Sequence, residues 1–112
     1  MTVQALIDTL SLTVFHLADG EAPVTGGYCG DLLSWVMGRA GEGCVWFTIM
    51  SNANVAAVAS LAGVACVLLT EGVAPDEDLL KKARARGVNL LGCGMGTYEA
   101  AVLAAKALEA GV

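Results

Sequence analysis

Charge is scarce in this chain. Only 15% of its 112 residues are charged, and eleven acidic residues outnumber six basic ones, for a net charge of −5. No Lys/Arg stripe runs through it, so it lacks the basic footprint of a protein that grips a nucleic-acid backbone. A small phosphorylated ligand is still admissible, because backbone N–H groups at helix ends bind anions without basic side chains. Histidine occurs once, as His16 between Phe15 and Leu17. One imidazole in an apolar segment reads as a structural residue, not as a base or a ligand. Aromatics are also few, and Trp35 and Trp46 read as core or interface residues. No Cys-x-x-Cys pair is present. The spacings of Cys29, Cys44, Cys66 and Cys93 fit no common zinc module, so neither a metal nor a cofactor is called for. Gly, Ser or Asn interrupts every apolar stretch before the roughly 18 residues a membrane span needs. The N-terminus has no basic segment leading into an apolar run, so no secretory signal is read there, and a cytoplasmic location with reduced thiols is expected.

Apolar residues, by contrast, are abundant at 56%. In one domain spanning residues 1–112, that excess implies a sheet covered on both faces and some apolar surface buried in a partner. A second copy of the chain, related by a two-fold axis, is the simplest partner.

The order of elements follows from periodicity and punctuation. Thr2 caps a short helix carrying Val3, Leu6, Ile7 and Leu10. Ser11 to Leu17 reads as a strand, and Val24 to Gly27 as a short extended piece. Asp31 reads as the N-cap of a helix through Leu32, Leu33, Val36 and Met37, ending near Gly41. Cys44 to Ile49 is a nearly continuous apolar strand, the pattern of a sheet buried on both faces. Ser51 or Asn52 caps a helix from Asn54 to Ala62, apolar almost all round and expected to be deeply buried, with Gly63 ending it. Ala65 to Leu69 is the central strand. Pro75 then opens a helix with Asp76, Glu77 and Asp78 in its first turn, Lys81 to Arg86 toward its end and Gly87 as its stop. Val88 to Leu91 is a strand, and Thr97 caps a last Ala-rich helix to about Leu108. Strand–helix alternation of this kind predicts an α/β fold: a three-layer α/β/α sandwich around a mainly parallel sheet of about five strands.

In such a sheet the strand-to-helix turns gather outside the carboxyl ends of the strands, where ligands bind. Three of these turns are small and polar. Ser51, Asn52 and Asn54 open one helix, where free N–H groups and the helix dipole favour an anion; ordinary capping explains the same residues equally well. Thr70 and Gly72 end the central strand, and the Glu71 between them reads as a solvated turn carboxylate. Gly94, Gly96 and Thr97 form the third turn, and its two glycines let a ligand approach the backbone. The pattern is neither a P-loop nor the dinucleotide-binding glycine fingerprint. A fourth loop, from Gly26 to Asp31, could bring Tyr28 across the pocket as a lid, although Asp31 as a simple cap is the plainer account. Cys29 and Cys93 lie in turns, where a helix N-terminus can activate a thiol, but neither has a His or basic neighbour in sequence. Cys44 and Cys66 read as core residues.

The run Asn54-Val55-Ala56-Ala57-Val58-Ala59, then Val67 through Gly72, Pro75, Leu79-Leu80, Ala83, Gly87-Val88 and Thr97, resembles the DRTGG domain family, which is related to the N-terminal domain of HPr kinase/phosphorylase. The likeness is best from Gly27 to Leu108. Gly30 to Ser34 together with Trp46-Phe47-Thr48 is similar to a small stand-alone subfamily. The resemblance implies an α/β/α fold, frequent dimerisation and a regulatory, non-catalytic role, in some members tied to adenine nucleotides. Two departures stand out. Asn52 to Asn54 replaces the signature Asp-Arg pair, which removes the arginine that could hold a phosphate, and Thr70-Glu71-Gly72 replaces Thr-Gly-Gly. There is no P-loop, so no kinase activity is implied. The expected function is a non-enzymatic regulatory module, dimeric, that senses a small anionic metabolite or nucleotide through Ser51, Asn52, Asn54, Thr70, Gly72, Gly94, Gly96 and Thr97. The alternatives are a subunit that docks onto a partner enzyme without a small ligand and, further off, a cysteine-based enzyme.

Overall fold

A computed structural model describes residues 1–112. Its five strands are β1 (Thr13–His16), β2 (Gly26–Cys29), β3 (Cys44–Thr48), β4 (Cys66–Leu69) and β5 (Leu90–Gly92). They form one sheet in the order β1-β5-β4-β3-β2. The β2, β3, β4 and β5 pairings are parallel, while β1 joins β5 antiparallel at one edge, with a register shift between Val14 and His16. The helices are α1 (Val3–Leu10), α2 (Leu33–Arg39), α3 (Asn54–Ala62), α4 (Glu77–Arg86) and α5 (Thr97–Glu109).

Strand residues alternate between two cores, as the two-residue period of a strand requires. Val45, Phe47, Cys66, Leu68 and Leu91 pack with Val3, Leu6 and Ile7 of α1 and Ala100 and Ala104 of α5. Trp46, Val67, Leu69 and Leu90 face the other way, onto Val36 of α2, Val55, Ala56 and Ala59 of α3, and Leu79 and Ala83 of α4. The result is the expected three-layer sandwich, with β4 in the centre. Every residue of β3 and β4 is buried, which accounts for their unbroken apolar character.

Several boundaries follow their local signals. The Thr2 hydroxyl accepts from the Ala5 N–H at 3.1 Å, capping α1. Gly63 and Gly87 end α3 and α4 with φ of 72° and 66°, a left-handed conformation that glycine takes without strain.

Other boundaries move. The extended piece expected at Val24–Gly27 is β2 at Gly26–Cys29. Pro75 lies outside α4, and Asp76 is the cap, accepting from the Leu79 N–H at 2.8 Å. Thr97 is the first residue of α5, not its cap; Gly96 takes the cap position. Leu32, not Asp31, holds the cap position of α2, because the Asp31 carboxylate is drawn across to β3. At α3 the cap position falls on Ala53, and Asn52 serves the helix start indirectly, its Oδ1 accepting from the Asn54 N–H at 3.0 Å. Nor is α3 buried all round. Val55, Ala56 and Ala59 face the core, whereas Leu61 is 71% exposed, because a helix on the outer layer of a sandwich has only one side to bury.

Candidate site at the carboxyl edge of the sheet

The ends of β3, β4 and β5 deliver the three expected turns to one edge, and two of the turns are laced together. After β4 the chain reverses through Glu71 and Gly72, both left-handed, with φ of 61° and 74°. That reversal aims the N–H groups of Glu71 and Gly72 at the loop after β5. Glu71 donates to the Met95 carbonyl at 2.8 Å, and Gly72 donates to that of Cys93 at 3.0 Å. Beneath them Thr70 is fully buried, its hydroxyl 2.6 Å from that of Thr97. Thr70, Gly72, Gly94, Gly96 and Thr97 thus belong to a single cluster.

Glu71 is the exposed turn carboxylate expected from sequence, but it also has a partner that the sequence did not announce. Its Oε2 accepts the Thr97 N–H at 2.9 Å, which places a carboxylate on the N-terminus of α5. This is the position where free N–H groups and the helix dipole favour negative charge. Gly96 leaves room for the approach, since a Cβ there would lie 3.3 Å from Oε2. A left-handed non-glycine residue costs on the order of 1 kcal/mol or more, and the charge-assisted hydrogen bond offsets part of that cost.

Ser51, Asn52 and Asn54 occupy the neighbouring turn and make no hydrogen bond to this cluster. The Ser51 carbonyl accepts from the Asp76 N–H at 3.0 Å, tying the turn to α4. Asn52 and Asn54 are exposed. On the far side Asp31 anchors the β2–α2 loop, with Oδ1 accepting from the Thr48 hydroxyl at 2.7 Å and the Ile49 N–H at 3.1 Å. Beside it the Trp46 indole donates to the Gly30 carbonyl at 2.8 Å. Tyr28 is no lid: its ring lies so close under Gly30 that a Cβ there would meet Cε2 at 2.9 Å.

One hollow lies beside α5 and another near the amino ends of the strands, and no residue of the three turns lines either. No group of three His, Cys, Asp or Glu side chains converges as a metal site would require, and no helix is long and apolar enough to cross a membrane.

The thiols argue against cysteine chemistry. Burial, with the Asp31 charge adding to it, raises the Cys29 pKa. At Cys93 burial again dominates, the Met95 carbonyl lowers the value, and Glu71 and Glu99 raise it. Cys66, deep in the core, is pushed up to about 12. Fewer thiolates at neutral pH mean slower attack. Alkylation of native protein by iodoacetamide at pH 7 should therefore run slower at Cys29 and Cys93 than at a free thiol, and accelerate as pH rises. A faster rate at either residue would restore the cysteine-enzyme reading. By linkage, burial of neutral Cys66 supports the fold fully below the ordinary thiol value of 9.0. That support is lost as pH climbs from there toward 12, because only the unfolded chain ionises in that range.

One structural element escaped the sequence reading altogether. Asn89 is buried, and its amide makes four hydrogen bonds at the amino end of the sheet. No local pattern around Val88-Asn89-Leu90 announces this role.

No family model matches the chain, and no curated protein matches it. A solved structure does. The chain is similar to the crystal structure of the CBS and DRTGG domains of the regulatory region of Clostridium perfringens pyrophosphatase, complexed with the activator diadenosine tetraphosphate. The fold is shared. The TM-score is 0.77 at 15% sequence identity, over 95% of this chain and 46% of that one. The chain therefore spans about half the length of that structure.

Proposed function

We propose that residues 1–112 form a DRTGG-like, non-catalytic regulatory module of the cytoplasm, probed at the carboxyl edge of its sheet by a small anionic metabolite or nucleotide. The observation that carries this reading is Glu71: the edge already holds an anion at the N-terminus of α5, in a strained residue that a ligand phosphate could displace. Thr70 and Gly72 would form the floor. Gly94, Gly96 and Thr97 would take the phosphate as Glu71 leaves, and Ser51, Asn52 and Asn54 would contact the rest of the ligand. The structural neighbour, a regulatory region holding a dinucleoside polyphosphate, supports the same class of ligand. The module is proposed to act as a homodimer, in line with its low charge and apolar composition.

A thermal-shift panel of ATP, AMP and diadenosine tetraphosphate tests this. A ligand at 100 times its Kd stabilises the native state by about 2.7 kcal/mol, a shift readily seen in a small domain. A shift that survives in the wild type and grows in Glu71→Gly supports the reading; no shift in either protein overturns it.

A second reading has its own observation. Leu32, Trp35 and Ile49 are 54%, 51% and 47% exposed, on the segments leaving the carboxyl ends of β2 and β3. Apolar side chains of that size in water suit a subunit that docks onto a partner enzyme. A flat ligand panel would favour it.

A further inference from the structure

One edge of the sheet is β2, which has a strand on one side only. Gly30, just past it, donates to the Phe47 carbonyl at 3.2 Å, while the Cys44 and Thr48 carbonyls of β3 accept from Ala65 and Thr70 on the β4 side. Backbone groups alternate along a ladder, so Val45 and Phe47 bond to β2, and Tyr28 turns its N–H and C=O toward them. Gly27 and Cys29, both exposed, therefore point theirs away from the sheet. Native edges are normally blunted by charge, proline or a bulge. The opposite edge, β1, has such protection: its register shifts between Val14 and His16, and it packs against the charged helix α4. The Gly26-Gly27-Tyr28-Cys29 strand has none of the three.

The helix beside this edge is also unfinished. Along α2 and its cap, Leu33, Val36 and Ala40 form the inward stripe, and Val36 is fully buried. Leu32, Trp35 and Arg39 form the adjoining stripe, and all are exposed. In a right-handed β2–α2–β3 crossover that stripe overhangs β2, on the side away from α3. The Arg39 guanidinium lies 3.8 Å from the centre of the Trp35 ring. Asp31 and Arg39 stand at opposite ends of the stripe, equally far along the chain from Trp35.

We propose that this flank is a homodimer interface, in which β2 pairs with β2 of a second copy across a two-fold axis at Tyr28. It rests on the homodimer proposed above and supplies its surface. An axis normal to the sheet makes the two strands antiparallel. Gly27 of each copy then faces Cys29 of the other, and each such pair exchanges both of its N–H···O bonds. The outward groups of the edge thus find their match in the same strand of the second copy. With strands about 4.8 Å apart, a helix seated over β2 and β3 lies about 10 Å from its counterpart, the spacing of packed helices. Trp35 meets the facing helix near the axis. The carboxyl end of each copy lies beside the amino end of the other, so Arg39 approaches Asp31 of the second copy, twice over. One surface supplies the edge, the apolar stripe and the opposite charge, as a self-complementary contact requires.

Sedimentation from roughly 1 mM down to roughly 1 µM, with amide hydrogen exchange on labelled full-length protein, tests this. A dimer that dissociates on dilution is expected, with the Gly27 and Cys29 amides protected in the dimer and exchanging freely in the monomer. Cys29→Pro removes an N–H that the monomer does not use, and proline is tolerated at such an edge position. Arg39→Glu sets a like charge against Asp31 of the second copy. Each should weaken the dimer by roughly tenfold or more, with the melting temperature of the dilute monomer close to that of the wild type. Cys29→Ser keeps the backbone edge and should leave the dimer intact. A chain that stays monomeric at the highest concentration overturns both this interface and the homodimer. A dimer whose Gly27 and Cys29 amides exchange freely, or one that Cys29→Pro and Arg39→Glu both leave unchanged, overturns the interface alone and leaves the homodimer on another surface.

Discussion

Asn89→Ala is expected to destabilise the protein by about 3 kcal/mol, more than any surface substitution should. The Asn89 side chain is buried. Its Oδ1 accepts the N–H groups of Ala18 and Asp19 at 2.8 and 2.9 Å, while its Nδ2 donates to the carbonyls of Asp19 and Ala65 at 2.8 and 3.0 Å. One amide therefore pins the loop after β1 to the amino ends of β4 and β5. Alanine leaves the N–H groups of Ala18 and Asp19 and the Ala65 carbonyl short of a partner, and opens a void. Aspartate should fare no better, because it keeps the acceptor, loses both donors and turns a negative charge toward two carbonyls. Urea denaturation would show the midpoint falling with an unchanged slope, and the melting temperature should drop on the order of 10 °C or more. A loss under about 1 kcal/mol would mean that water replaces the amide.

Glu71→Gly should leave stability nearly unchanged and raise the affinity of the carboxyl edge for a phosphorylated ligand by roughly tenfold, the equivalent of 1.4 kcal/mol. Two effects of similar size oppose each other in stability. Glycine relieves the left-handed strain at φ 61°, and the helix loses the carboxylate on the Thr97 N–H. In binding only the loss of the carboxylate counts, because the internal anion no longer competes and its repulsive charge is gone. Glu71→Gln separates the two, since it keeps the strain and the side-chain length but removes the charge. If Gln gains as much affinity as Gly, charge is the barrier; if only Gly gains, the barrier is the space the side chain occupies. Isothermal titration with the best ligand of the thermal-shift panel reads both. Equal affinity in all three proteins would remove Glu71 from the mechanism.

The asymmetry between these two residues marks what could be read in advance. Glu71 lies in a turn that the sequence points to, between Thr70 and Gly72 at the end of an apolar strand, and only its partner was hidden, 26 residues downstream. Asn89 gives no such sign, because its partners are 24, 70 and 71 residues away and include backbone groups of a loop without any motif. Asp31 shows the same rivalry at shorter range. Locally it is a good helix cap, yet the Thr48 hydroxyl and Ile49 N–H, 17 and 18 residues on, hold its carboxylate instead.

The sequence by itself determined the alternation of strands and helices, the glycine stops at Gly63 and Gly87, the fully buried β3 and β4, and the gathering of polar turns at one edge. Each rests on interactions within a few residues: side-chain periodicity, capping and the conformational freedom of glycine. Only the tertiary structure decided that β1 runs antiparallel at the edge of the sheet, that Glu71 occupies the N-terminus of α5, that Asn89 locks the opposite end, and that small residues on β2 and α5 leave a hollow between them. These depend on which surfaces meet when the layers close, and packing between distant segments leaves no period in the chain to read.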